Sequence, residues 1–388
     1  MARSALTPAS SAELRDLVAR WTGRATPGYR FAHDLARVPD DGLPDTVTVI
    51  ITVFGAPDER ALRTALKSIA LQRSIRIDPV IVEQVHGSAP AFEQLARSTG
   101  ARHIVDAVPR DASDGRFIIA RARNAGIAAA LGRFIYFSDA DVILADPTYL
   151  ARLVELMRLH EDLVLVTPRN KHLLRETQAA ACDHFLAEGS WDTGGMERIG
   201  HHALRWVGID HAGAADPRPE IVEVALAGVP CIVRKPALDA YAADPAKWRG
   251  REPMIWNLIV HHGALMARKR HLDLAGGYAE CFVGWGLEDD DMLWKLSELF
   301  LVASVARLPD VAVVHLEHER SWFDPLLWQR NKLVADDRRR AGILDTIISD
   351  ILAGASPHAD RLRATMRWTA ADAAPAATKP ARTTSAPY

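Results

Sequence analysis

Apolar positions alternate between two rhythms along most of the chain. Val47-Thr48-Val49-Ile50-Ile51-Thr52-Val53-Phe54 is a β-branched run closed by Gly55 and Pro57, the composition of a strand covered on both faces in a parallel sheet. Asp58 follows as a candidate N-cap, with Leu62, Leu66, Ile69 and Ala70 as the apolar stripe of a helix. The run 79–82 ending at Glu83, a helical segment over 91–98 and the run 102–108 give strand, helix and strand again. The spacing then predicts a helix over 117–131, a strand over 133–138, a helix over 147–160 and a strand over 163–167. That alternation predicts a βαβ sheet with right-handed crossovers.

The rhythm is lost between Asn170 and Gly250, where helical pieces and a strand-like stretch over 228–233 sit among many Gly, Pro, His and Trp. Such a stretch reads as substrate-facing insertions on the scaffold. Order returns with a strand over 258–267, a helix over 268–275, a Gly-rich turn into an acidic helix over 287–300, and strands over 301–306 and 311–316. Helical periodicity resumes beyond Trp322 to about residue 368. Before the main fold, Ser10 or Ser11 can cap an accessory helix with Leu14, Leu17, Val18 and Trp21 on one side. The last segment, 370–388, is Ala, Pro, Thr, Ser and basic residues, with too little to bury to offset the cost of ordering. No internal repeat is visible. The organisation expected is an N-terminal helix and linker (1–45), one main domain (46–322, in two parts that meet at 168), C-terminal helices (323–369) and a disordered tail.

Composition narrows the function classes. The 388 residues exceed a common domain two- to threefold, and 48% hydrophobic with 25% charged residues is ordinary for a globular protein. A net charge of −2 argues against bulk phosphate neutralisation, hence against nucleic acid as the partner. Three cysteines without a CxxC pair argue against a disulfide framework or zinc ribbon and fit a reducing compartment. No run approaches the roughly 18 apolar residues of a membrane span, so a cytoplasmic location is expected.

Three segments carry candidate chemistry. The strand Phe134-Ile135-Tyr136-Phe137 delivers Ser138-Asp139-Ala140-Asp141 at a carboxyl end, where open α/β sheets bind ligands. Two aspartates one residue apart can share a divalent cation, although one capping a turn and one solvated is the simpler reading of so common a tripeptide. Gly284-Trp285-Gly286-Leu287-Glu288-Asp289-Asp290-Asp291 places four consecutive acids at a helix start. The helix dipole accounts for one or two of them, not four beside a Trp whose face suits a sugar ring. His315-Leu316-Glu317-His318 offers imidazole nitrogen to the same metal, but among 15 histidines a pair alone carries little weight.

Together with the opening strand and Arg121-Ala122-Arg123-Asn124-Ala125-Gly126, these segments resemble GT-A nucleotide-sugar glycosyltransferases over roughly residues 46–322. The first parts are similar to family 2 enzymes, and the acidic segment to the galactosyltransferase-type domain. The resemblance implies an α/β GT-A fold, Rossmann-like, with a mostly parallel central sheet flanked by helices and with accessory N- and C-terminal helices. It implies that Thr52, Val53, Phe54 and Glu83 lie at the nucleotide base and ribose, that Arg123 and Asn124 open toward ribose and diphosphate, and that Asp139 and Ala140 bind the nucleotide sugar. Asp141 and His318, with His315, would hold a divalent metal, Mn²⁺ or else Mg²⁺. Glu288, with Trp285, Gly286 and Asp290, would bind the acceptor, and Asp289 would be the general base.

The activity so implied is inverting transfer of a hexose or N-acetylhexosamine from a UDP-sugar to a hydroxyl of a carbohydrate, lipid-linked or small-molecule acceptor. A catalytically silent nucleotide-sugar-binding subunit and a nucleotidyltransferase are the alternatives; the second lacks its Gly-rich phosphate loop after Phe54. Trp248, Trp256 and Trp328 read as packing residues and Cys281 as a small buried one. His261-His262 read equally as cleft-lining residues or as a structural pair. Arg338-Arg339-Arg340 reads as a solvated face able to touch anionic lipid, and the C-terminal helices as a surface for homo-oligomer formation.

Overall fold

The computed structural model describes residues 42–109, 114–159, 163–166, 170–173, 175–190, 221–226, 229–234, 263–304, 313–316 and 324–353. The expected N-terminal helix and tail, Trp248, Trp256, His261, His262 and His318 lie outside them. The opening run forms β1 (Thr46–Phe54), and Asp58 caps α1 (Glu59–Ala70), accepting from the backbone N–H groups of Arg60 and Ala61. Leu62, Leu66 and Ile69 are buried as the stripe requires, while Ala70 is exposed. Next come β2 (Arg76–Val85), α2 (Glu93–Thr99), β3 (Arg102–Ala107), α3 (Ile119–Ala129), β4 (Phe134–Ser138), β5 (Val142–Ile143), α4 (Tyr149–Leu159) and β6 (Leu163–Val166).

The irregular middle supplies β7 (Asn170–Leu173), α5 (Arg175–Glu188) and the antiparallel pair β8 (Ile221–Leu226) and β9 (Val229–Arg234). The remainder comprises β10 (Leu265–Arg268), α6 (Lys269–Leu274), α7 (Glu288–Leu299), β11 (Leu301–Ser304), β12 (Val313–Leu316), α8 (Pro325–Ala341) and α9 (Ile343–Ala353).

Seven strands form the central sheet in the order β11-β6-β10-β4-β1-β2-β3. All pairs are parallel except those of β10, which runs antiparallel to both β4 and β6. Strand periodicity splits the apolar residues of β1 between two cores: Val47, Val49, Ile51 and Val53 enter one with α1 and α4, and Ile50 enters the other with α3 and α7. A smaller sheet, β5-β12-β7, sits where β4 ends, with β12 antiparallel to β5 and parallel to β7.

The C-terminal helices pack on the main domain: Ile343, Ile347 and Ile351 of α9 are buried in one core cluster with Tyr278, Met292 and Leu296. One expectation is corrected: the triple arginine is not a uniformly solvated face. Arg338 turns inward to Asp291 and Asp350, while Arg339 and Arg340 stay exposed.

Candidate active site

The carboxyl ends of β1, β2 and β4 open the site. Thr52 and Phe54 are half-buried there, whereas the Val53 side chain points into the core, leaving only its backbone for a ligand. Phe54 stacks on Phe117 with ring centroids 5.2 Å apart, and His86 meets Phe54 edge-on at 5.2 Å. Phe117 and His86 are residues that residue spacing alone did not single out; the only signal was an aromatic just before α3.

Glu83 is placed differently from the expectation. Its carboxylate is buried and taken up by the backbone N–H groups of Ala91 and Phe92 (2.7 and 3.1 Å) and by His103 Nε2 at 2.9 Å. It therefore shapes the loop after β2 rather than presenting oxygens to a nucleotide. Asn124 is likewise committed. Its Nδ2 donates to the Tyr278 carbonyl (2.9 Å) and to Glu280 (3.1 Å), and its Oδ1 accepts from the Tyr278 N–H (2.8 Å). Asn124 thereby ties α3 to the loop that leads into the acidic segment.

Arg123 stands at the centre. Gly126 lets α3 approach β1 closely, since a Cβ there would come within 2.6 Å of Ile50 Cγ2. This approach brings Arg123, only 4% exposed, between the rings of Tyr278 (5.0 Å) and Phe137 (5.8 Å). Its Nη1 donates to Asp289 Oδ1, and its Nη2 lies 3.8 Å from Asp139 Oδ1. Burial opposes the guanidinium charge, but Asp289, Tyr278, Asp139 and Glu288 outweigh it and raise the pKa, so Arg123 is a fixed cation. One side chain thus joins the end of β4 to the first turn of α7.

Asp139 and Asp141 are partly open, with Asp139 34% exposed. β5 and β12 pair so that His315 faces Val142, and Leu316 N–H donates to the Asp141 carbonyl at 2.9 Å. This register brings His315 Nε2 to 3.7 Å from Asp141 Oδ2. A carboxylate oxygen and an imidazole nitrogen at that separation are a donor set that suits a divalent cation. Among the described residues no group of three or more His, Cys, Asp or Glu is close enough to hold a metal by itself. A cation held by two protein groups and completed by substrate phosphates fits what these residues offer.

The four acids at the start of α7 have different fates. Leu287 adopts a left-handed backbone (φ 73°) before the helix. Glu288 is buried, Asp289 pairs with Arg123, Asp290 is half-buried, and Asp291 is bound by Arg338 through two bonds of 2.7 and 2.8 Å. Burial, with the Asp289 charge beside it, pushes Glu288 up to about 8 despite Arg123.

The preceding loop is gripped by α8. Asn331 Nδ2 donates to the carbonyls of Val283 (3.1 Å) and Gly286 (3.2 Å). Gly286 (φ 105°) lies so close to Trp328 that a Cβ would meet its Cδ1 at 2.9 Å. Trp328 is therefore a packing residue, as its surroundings in the sequence indicated. Trp285 remains 37% exposed at the surface of the loop. Cys281 is exposed rather than buried, its carbonyl accepting from Arg330 at 3.2 Å.

Residues 48–212 match the model of Glycosyl transferase family 2, and residues 255–319 match the model described as the N-terminal domain of galactosyltransferase. The chain thus joins a segment similar to family 2 glycosyltransferases to a galactosyltransferase-type segment. Among solved structures it is similar to S. aureus TarS 1-349, with 14% identity, TM-score 0.40, and 70% of this chain and 60% of that chain covered. It is also similar to the mannosyltransferase PcManGT from Pyrobaculum calidifontis in complex with GDP-Man and Mn²⁺ (15% identity, TM-score 0.42, coverage 92% and 82%). A third is glucosyl-3-phosphoglycerate synthase from Mycobacterium tuberculosis in complex with Mg²⁺ and UDP (14% identity, TM-score 0.40, coverage 80% and 86%). The match spans less than two thirds of the TarS chain. No curated protein matches the sequence. No helix among the described residues is long and apolar enough to cross a membrane.

Proposed function

We propose that this chain is a GT-A glycosyltransferase that transfers a hexose or N-acetylhexosamine from a UDP-sugar to an acceptor hydroxyl with inversion, in a metal-dependent reaction in the cytoplasm. The observation that carries the reading is the bridge Asp139···Arg123–Asp289, which sets a candidate base of the acceptor side beside the donor strand.

On this reading the nucleotide lies along the ends of β1 and β4, its base against Phe54 and the backbone of Thr52 and Val53, its ribose and phosphates toward Asp139 and Ala140. Glu83 and Asn124 act there indirectly, by fixing the loops they bond. Asp141 and His315 would hold the divalent cation, with His318 as a further ligand, and Mn²⁺ or Mg²⁺ there would neutralise the diphosphate as it leaves. Trp285 offers its face to the acceptor sugar, and Gly286, Glu288 and Asp290 line the same side.

Asp289 takes the proton of the acceptor hydroxyl as that oxygen forms its bond to the anomeric carbon and the bond to the diphosphate breaks. Its place at a helix N-terminus favours the carboxylate form that a base needs. One base and direct displacement give inversion, through an oxocarbenium-like transition state.

The test is donor screening. UDP-glucose, UDP-galactose and their N-acetyl forms are supplied with and without Mn²⁺, and UDP release is read for the wild type and Asp289→Asn. Release that needs Mn²⁺ and collapses in the variant is expected. Calorimetry showing that none of these nucleotide sugars binds in the presence of metal would sink the proposal, and a retained anomeric configuration would remove Asp289 from its role.

A further inference from the structure

We propose that Glu288 carries a proton in the resting protein and meets the acceptor as a hydrogen-bond donor, so that it selects for a lone-pair oxygen on the acceptor while Asp289 remains the base. The inference rests on the glycosyl-transfer reading for its acceptor part, whereas its proton is argued from burial and neighbouring charges.

The Glu288 carboxyl is 3% exposed, and its Oε2 is buried without a hydrogen-bond partner. The groups acting on it are of mostly one sign. Asp289 and Asp290 follow on the same helix, and Arg123 is the cation that faces it from α3. That guanidinium is already engaged, donating to Asp289 and reaching toward Asp139. Tyr278, from the loop before the acidic segment, also faces Arg123. Its buried phenol also lacks a partner and is held protonated, with burial the leading cause.

An ionised Glu288 is therefore a buried anion whose natural counter-ion is spent on its neighbour, an arrangement that carries a large desolvation cost. The neutral acid avoids that cost and gains an O–H to donate. Burial and the Asp289 charge accordingly push its pKa up to about 8. Two adjacent carboxyls forced apart in protonation state take different chemical roles.

A protonated Glu288 can bond a ring or ether oxygen, the lone pair of a hydroxyl, or the carbonyl of an N-acetyl group. An ionised one could only accept. Acceptor affinity should then fall as pH rises through about 8, whereas the donor site at Asp139 and Asp141 does not depend on this proton.

Two measurements on the full chain decide the matter. Infrared difference spectra of wild type against Glu288→Gln, without substrates, should show a protonated carboxyl near pH 7 that is absent from the variant and titrates near pH 8. A carboxylate signal at pH 7 overturns the inference, whether or not the protein transfers sugar. Binding of methyl glucoside and its 2-acetamido counterpart, followed by ligand NMR with UDP and Mn²⁺ present, should weaken about tenfold between pH 7 and pH 9 in the wild type. Glu288→Gln, whose amide still donates, should bind within about threefold of wild type at pH 7 and lose the pH dependence, while Glu288→Ala binds about tenfold more weakly. Binding that is undetectable at both pH values or equal at both in the wild type, or Gln as damaging as Ala, overturns the acceptor role. If UDP-sugars fail to bind while the carboxyl proves protonated, the transfer reading falls and the proton assignment stands.

Discussion

Two arginine-centred clusters meet on the first turn of α7, and their charge balance differs. Around Arg338, the anions Asp291 and Asp350 face the cations Arg338 and Lys295. Arg338 binds both carboxylates, and Lys295 Nζ donates to Asp350 at 2.7 Å and to the Gly277 carbonyl at 2.5 Å. Around Arg123, three acids, Asp139, Glu288 and Asp289, share one guanidinium. The balanced cluster is buried and ties α7 to α8 and α9. The unbalanced one lies at the carboxyl edge of the sheet, where a deficit of positive charge favours a bound cation on one side and a retained proton on the other. Acids from the same Glu-Asp-Asp-Asp run serve structure in one cluster and, on the proposed function, chemistry in the other.

Substitutions can break or sharpen this contrast. The largest effect is expected from Asp289→Asn, which keeps the shape of the unbalanced cluster but removes its base. UDP release should fall about 10³-fold with the melting temperature little changed; a loss under about tenfold would place the base elsewhere. Arg338→Met should do the opposite. It removes both hydrogen bonds to the buried Asp291 and leaves Lys295 as the one cation for Asp291 and Asp350, so urea denaturation should show a loss of about 3 kcal/mol, well beyond that of Asp289→Asn.

Glu288→Gln comes next and depends on pH. The folded-state value of about 8 lies above the ordinary 4.5, so the native protein binds this proton more tightly than the unfolded chain. The wild type therefore bears no penalty below about pH 4.5, an increasing one between 4.5 and 8, and the full penalty above, several kcal/mol at about 1.4 kcal/mol per unit. The variant should accordingly melt higher than wild type at pH 9 and close to it at pH 5. Equal melting temperatures at both pH values would show Glu288 to be ordinarily ionised.

The smallest effect, about 1–2 kcal/mol, is expected for Gly286→Ala. It forces a Cβ against Trp328 at a positive φ. Thermal melting reads the loss, and Asn331→Ala, which frees the same loop without a clash, separates loop position from strain.

Much of the fold was legible locally. Asp58 as a cap, the two-faced run of β1 and the acid-rich start of α7 follow from residue type and spacing, because caps, strand pleats and helix dipoles act over a few residues. Other features were not. Arg338 looked like part of a solvated basic run, yet its partner Asp291 is 47 positions away. Glu83 and Asn124 looked available for a ligand, yet both are consumed by backbone groups that only the folded chain brings near. Phe117 and His86 had no pattern to mark them, since an aromatic contact across strand ends leaves no periodicity in sequence.

From the sequence alone came the α/β order, the two family segments and a set of candidate residues for the chemistry. The tertiary structure decided how that set is divided. A helix turns by about 100° per residue, so four consecutive carboxyls point in different directions, and each takes its charge state from whatever the fold places opposite. Arg123 from α3, Arg338 from α8 and a buried pocket whose cation is already paired with a neighbour make Asp289, Asp291 and Glu288 into three different groups. Desolvation and ion pairing are properties of neighbours in space, which residue spacing does not encode.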